Sequence, residues 1–294
     1  MTHPMPALLL EQIAFPESPR WHDGAFWFSD FYTHRVLRVG LDGVPETMVE
    51  VPGQPSGLGW LPDGRLLVVS MIDRRLLRLD GTRLTEVADL SSLAPFHCND
   101  MVVDAQGRAY IGNFGFDLPA REAPRPTVLI MVTPDGAARV VADELHFPNG
   151  TVITPDGGTL IIGESYKARL TAFDIAADGA LRNRRLWAQL EGAAPDGICL
   201  DAQGAIWVAS PISREVLRVL EGGTVTHRIP LPAAAVACML GGPNRSTLFL
   251  LGVDPALLPR TDDAGTDTPN VAPSRPTGGH IWTMPVSNRG VGLP

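Results

Sequence analysis

One phrase recurs along the whole chain, and it constrains the fold more than any other feature. Its clearest copy runs Pro148-Asn149-Gly150, then the apolar Val152-Ile153, then Pro155-Asp156-Gly157-Gly158, then Leu160-Ile161-Ile162-Gly163-Glu164. A turn signal, a short apolar run, a Gly-rich reversal and a second apolar run describe a β-hairpin with a polar residue at its mouth. The same order is written around Glu17-Ser18-Pro19, Pro55-Ser56-Gly57, Asn99-Asp100, Pro195-Asp196-Gly197 and, more weakly, Val236-Ala237-Cys238. Aligned at the mouth, the six positions are Glu17, Ser56, Asn99, Asn149, Asp196 and Cys238, separated by 39, 43, 50, 47 and 42 residues. Repeats of this length built only from short strands specify an all-β, six-bladed β-propeller with four antiparallel strands per blade. A β-sandwich has no reason to repeat a polar opening at such a period.

The rest of the chain fits one propeller domain over residues 1–294. Third strands are expected at Arg35–Val39, Arg75–Leu79, Val128–Val132, Arg169–Phe173 and Glu215–Val219, and alternation assigns their arginines to solvated faces. A propeller must close its ring. Ala7–Gln12 is therefore expected to pair beside the run Gly279–Met284, which removes two exposed edges at once. Phe114–Thr127 and Asp254–Gly278 lack strand or helix periodicity and read as long loops on the mouth face, candidates for lids over the channel.

Composition narrows the class. No apolar run reaches the roughly 18 residues of a membrane span. Met1–Pro6 lacks the basic start of a signal peptide and Ala7–Leu10 is too short for its core, so the expectation is a cytoplasmic protein with no membrane partner. Three cysteines argue against a disulfide framework, and Cys238 reads as a small buried hydrophobe. A net charge of -8 argues against a nucleic-acid partner, although a local acidic site could attract a cation.

In a propeller the residue just before each innermost strand faces the axial opening. Two carboxylates and two amides, Glu17, Asp196, Asn99 and Asn149, would thus converge from four blades. Uncompensated, the carboxylates would repel each other and lose hydration, a cost that a hard divalent cation with oxygen ligands removes. Asn and Asp also cap turns by bonding their own backbone, so a purely local role stays open at each position.

With these motifs in view the chain resembles the six-bladed propellers of the SMP-30/gluconolactonase/regucalcin (LRE) family over nearly its whole length. Glu17-Ser18-Pro19-Arg20-Trp21, Asn99-Asp100, Pro148-Asn149-Gly150 and Pro195-Asp196-Gly197 carry the likeness. The resemblance implies one divalent metal held by Glu17, Asn149 and Asp196, calcium before zinc, manganese or magnesium. It implies hydrolysis of a small-molecule lactone, with Asp196 as general base toward water and the metal polarising the ring carbonyl. It also places Asn99, Asn113 and Asp117 near substrate. The sugar-lactonase pattern has Arg two residues before the Asn of blade three; this chain has His97, which lacks the fixed guanidinium fork and points away from an anionic sugar lactone. His97 and His146 are expected to border the mouth and bind substrate. The rival readings are a metal- or ligand-binding propeller without turnover, and a metal-assisted isomerase or lyase.

Overall fold

The computed structural model describes residues 5–258 and 277–292. Six four-stranded antiparallel sheets stand in a ring. Their innermost strands are Pro16–His22, Pro55–Trp60, Cys98–Val103, Pro148–Ile153, Ile198–Leu200 and Ala234–Gly241. Each touches the innermost strands of the neighbouring blades, so these six line the axis.

The burial gradient explains how sequence selects strand order. Second strands such as Leu66–Ser70 and Ile206–Ser210 are buried at every position, and they are the uninterrupted apolar runs of the sequence. Outermost strands such as Pro45–Glu50 are mostly exposed and polar. Between blades the sheets pack face to face: Leu67, Val69 and Leu76 of blade two meet Met101, Ile111 and Ile130 of blade three in one cluster. Blade one meets blade six through Phe26 and Phe249, stacked at 4.2 Å.

Closure follows the expected route. Ala7–Ile13 pairs antiparallel with Gly279–Pro285, so blade six holds strands from both ends of the described chain. The first candidate lid, residues 114–126, is an irregular connection between Ala109–Asn113 and Thr127–Val132, anchored by the buried Phe116. The second, Asp254–Gly278, lies for the most part outside the described residues.

Two local readings of the sequence need correction, and one feature was not foreseen. Pro148-Asn149-Gly150 is not a turn: it opens the innermost strand itself. Gly150 is there because blade five approaches closely, and a Cβ at this position would lie 2.5 Å from the Asp196 carbonyl oxygen. Arg218 is not on a solvated face. It is buried, its Nε bonds Asp201 at 2.7 Å, and its amines reach Thr226 and Gln203. Outward alternation gives way because the fully buried Asp201 needs a cation. The unforeseen feature is a break in the pairing of the innermost strands. In blades one to four each carries an extra residue against its partner just inside the mouth, between Glu17 and Arg20, Pro55 and Leu58, Cys98 and Met101, and Pro148 and Thr151. Blade six has its own irregularity between Ala235 and Ala237. Such bulges twist a strand and re-aim its side chains, here at the channel mouth.

Candidate functional site

The bulges set the mouth. Glu17, Ser56, Asn99 and Asn149 are buried, and Asp196, which precedes the short strand Ile198–Leu200, stays partly open. Blade one carries backbone strain at this point: Ser18 sits at φ 49, in the left-handed region, with its amide on the Glu17 carboxylate at 3.1 Å. A chain of polar contacts crosses four blades. Ser56 Oγ donates to Asn99 Oδ1 at 3.4 Å, Asn99 Nδ2 to Asn149 Oδ1 at 3.3 Å, and Asn149 Nδ2 to Ser165 Oγ at 3.2 Å. Ser165 Oγ in turn donates to the Pro195 carbonyl at 2.7 Å, beside Asp196. The Asn149 side chain also lies close enough to the Asp196 carboxyl to pull its pKa down.

What holds the mouth in place is a repeated anchor. The last residue of the second strand bonds the backbone that leads into the first. Asp30 accepts from Ala14 and Phe15 at 3.3 and 2.8 Å, Glu164 from His146 at 3.0 Å, and Ser210 Oγ from Ala194 at 3.1 Å. Glu164 is fully buried and is compensated by Arg169, Arg184 and Thr171.

The electrostatics are unbalanced at the axis. Burial, then the charges of Asp196 and Asp100, push the Glu17 carboxyl well above its ordinary value, against the pull of the Ser18 amide. Burial and Asp100 raise Asp196 likewise, opposed by the Asn149 side chain. Asp100 is raised by burial, and the Arg20 guanidinium and the Ser18 hydroxyl at 2.6 Å draw it back. No cation figures among the influences on Glu17 or Asp196. The two carboxyls and the neighbouring amide oxygens, with no cation of the described residues acting on either carboxyl, are a donor set suited to a hard divalent ion. Among the described residues no three His, Cys, Asp or Glu side chains form a metal-binding group, so a site here would need other oxygen donors, such as the mouth amides, beside the carboxylates.

The remaining candidates divide. Asn113 is fully buried, donates from Nδ2 to the Val128 carbonyl at 2.8 Å and accepts from Thr127 Oγ1. It occupies the place that Asp30 and Glu164 hold in their blades. Asp117 caps Ala120 N at 2.9 Å within the connection of residues 114–126, close enough to His97 for its charge to act there. His97 is half-buried, stacks on Phe96 at 4.0 Å and lies 5.9 Å from Phe114; burial pushes its imidazole down, so it is neutral at pH 7. His146 is half-buried, with its amide held by Glu164; burial and Lys167 also lower it. Cys238 is buried 4.0 Å from Cys199, and both are free thiols. Sequence reasoning passes over Ser18, Arg20, Asp100 and Ser165 as parts of the site. The Asp of Asn99-Asp100 is the available signal, because a second acidic residue beside a mouth amide has no reason to be in a strand interior.

The fold and its axial mouth lined by carboxylates and amides place the chain among the six-bladed β-propellers. The chain belongs to the SMP-30/gluconolactonase/LRE-like family, whose model matches residues 15–253. It is 28% identical over 272 residues to regucalcin of Danio rerio, covering 85% of this chain and 88% of that protein. Two solved structures share the fold. A calcium-binding protein, regucalcin, of Agrobacterium tumefaciens superposes with TM-score 0.79 at 20% identity, over 100% of this chain and 99% of the other. A gluconolactonase of Xanthomonas campestris superposes with TM-score 0.72 at 24% identity, over 95% and 88%. No helix among the described residues is long and apolar enough to cross a membrane.

Proposed function

We propose that the chain is a metal-dependent hydrolase that opens a lactone or related cyclic ester. The observation that carries this reading is the pair of carboxyls at the mouth, Glu17 buried and Asp196 partly open, raised by burial and by neighbouring carboxylates, with no cation of the described residues among the influences on either. Membership of a family that includes gluconolactonases supports it.

Glu17, Asn149 and Asp196 would hold the ion. When bound, it would polarise the substrate carbonyl and offset the negative charge that develops there. Asp196, partly open where Glu17 is closed, would take a proton from water on a carboxylate oxygen as that water attacks the acyl carbon. The ring C–O bond then breaks, and the same proton passes to the departing alkoxide, leaving a hydroxy acid. Asn99, tethered between Ser56 and Asn149, would orient water or substrate without adding charge. Glu17, fixed by the strained Ser18, would serve as ligand.

The regucalcin likeness favours a second reading, calcium binding without turnover. One experiment separates the two. A panel of lactones is followed by acid release, with calcium and with chelator, beside calorimetric titration of calcium. Chelator-sensitive hydrolysis is the expected result; saturable calcium binding with no hydrolysis across the panel would leave the binding reading alone.

A further inference from the structure

Next to the polar axis lies a continuous group of rings that the proposed chemistry does not use. Phe96 stacks on His97 at 4.0 Å and 22°, and His97 lies 5.9 Å from Phe114. Phe114 stacks on Phe147 at 4.8 Å and 24°, and Phe147 lies 5.2 Å from Tyr166. Phe116 closes the group from beneath, edge-on to Tyr166 at 5.6 Å.

The rings come from the ends of strands that carry the site. His97 is two residues from Asn99 and Phe147 two from Asn149, and Tyr166 follows Ser165, whose hydroxyl accepts from Asn149. The Phe114 amide bonds the His97 carbonyl at 2.9 Å, which ties the lead-in of blade three to the connection that follows its second strand. The group is not all core. Phe116 and Phe147 are buried and give it rigidity, but Phe96, His97 and Phe114 are only half-buried and Tyr166 is 41% exposed. Partly open aromatic faces beside convergent polar groups are the usual make-up of a small-molecule site.

We propose that this rim binds a planar aromatic substituent carried by the substrate, so that the preferred lactones are aryl-substituted. The ring to be opened would lie over Asn99, Asn149 and Asp196, and the substituent would lie against Phe114 and Tyr166. The position of the reacting ring rests on the lactonase reading above. The affinity of the rim for an aryl group does not, and the two can fail separately.

The test compares γ-phenyl-γ-butyrolactone with γ-butyrolactone as substrates. Their lactams serve as non-hydrolysable ligands, with binding read by ligand-observed NMR on the intact protein with and without calcium. The phenyl lactam should bind about tenfold more tightly than its parent, the order expected for covering one phenyl ring. The phenyl lactone should show a similar advantage in kcat/KM, carried by KM. Tyr166→Ala and Phe114→Ser should each cut both advantages about threefold. Tyr166→Ala, at an exposed ring, provides the readout should Phe114→Ser fold poorly, and Leu186→Ala on an outer strand is the control. Equal binding of the two lactams by the wild type overturns the proposal, as do variants that keep the full preference. A lactam preference lost in the variants, with neither lactone hydrolysed, upholds the rim and refutes the lactonase activity.

Discussion

Gly150→Ala tests how the site depends on contact between blades. The added Cβ would lie 2.5 Å from the Asp196 carbonyl oxygen, 2.5 Å from Ile198 N and 2.8 Å from Gly197 Cα. All three are backbone atoms and cannot rotate aside. Restoring ordinary contact, from 2.5 to at least 3.4 Å, separates blades four and five by about 0.9 Å at this level. It also breaks the Gly150 N–H bond to the Asp196 carbonyl, 3.2 Å long. Overpacking costs about 1–3 kcal/mol and the lost bond about 1 kcal/mol, for a sum of roughly 2–4 kcal/mol. At about 2–4 °C per kcal/mol for a large domain, Tm should fall by roughly 5–15 °C. Because Asn149 and Asp196 flank the forced gap, calcium affinity should drop by about tenfold or more, as an ångström of ligand displacement readily costs. The reference is Gly157→Ala in the same blade. Gly157 has φ 70 and open space around it, so only about 1–2 kcal/mol of left-handed strain is expected there, with unchanged calcium affinity. Thermal unfolding and calorimetric calcium titration of both variants decide the matter. If Gly150→Ala unfolds no earlier than Gly157→Ala, or holds calcium within twofold of wild type, the reasoning is refuted.

Asp196→Asn should lower kcat by about 10²–10⁴-fold with modest change in Tm, and a near-normal rate in a variant that still binds metal would remove Asp196 as the base. The metal-free protein should lose stability as pH rises. Glu17, Asp100 and Asp196 are all raised in the folded state, so their contribution is intact below the ordinary carboxyl range near 4 and is lost as pH climbs through the raised values. Tm against pH with chelator should slope downward from mildly acidic to neutral pH, and saturating calcium should flatten the slope; a chelator curve that rises over this window contradicts the assignment. Arg218→Met leaves Asp201 charged and buried without its partner and should cost about 3–5 kcal/mol, read as a lowered urea midpoint. His97→Arg should shift kcat/KM toward anionic sugar lactones relative to apolar ones, and an unchanged ratio would show that His97 does not set substrate choice.

The ring of blades could be read from the sequence because each blade repeats a pattern of local character: a polar mouth, an apolar run, a Gly-rich reversal. The closing pair, Ala7–Ile13 against Gly279–Pro285, followed from the need to cover two edges. The mouth positions were legible for the same reason, since Glu17, Asn99, Asn149 and Asp196 recur at one phase of the repeat. What escaped depends on contacts outside the local repeat, between blades or across the strands of one blade. Pro148-Asn149-Gly150 looks like a turn locally, and only the neighbouring backbone of Asp196 shows why the glycine is needed. Arg218 follows the alternating pattern of a solvated residue until Asp201 is seen beneath it. Asn113, expected near substrate from the family resemblance, shares its place with Asp30 and Glu164, which hold backbone, and that shared place is not visible in the sequence. The bulges that aim the mouth side chains leave no mark in composition at all.

The seam in blade six orders the assembly of the site in time. Asn149 and Asp196 come from adjacent blades and can take their places once the middle of the chain has folded. Glu17 cannot. Its neighbour Pro16 packs against Gly279, where a Cβ would lie only 2.6 Å from the proline ring, and Ile13 pairs with the same glycine. During synthesis the first carboxylate of the site therefore waits for the last strand, across nearly the full contour of the chain. Because closing so long a loop costs little more than closing one half its length, the delay is kinetic and not a large loss of stability. Until the seam zips, Glu17 is not held against the rest of the mouth, and the ring of polar groups is completed only with ring closure.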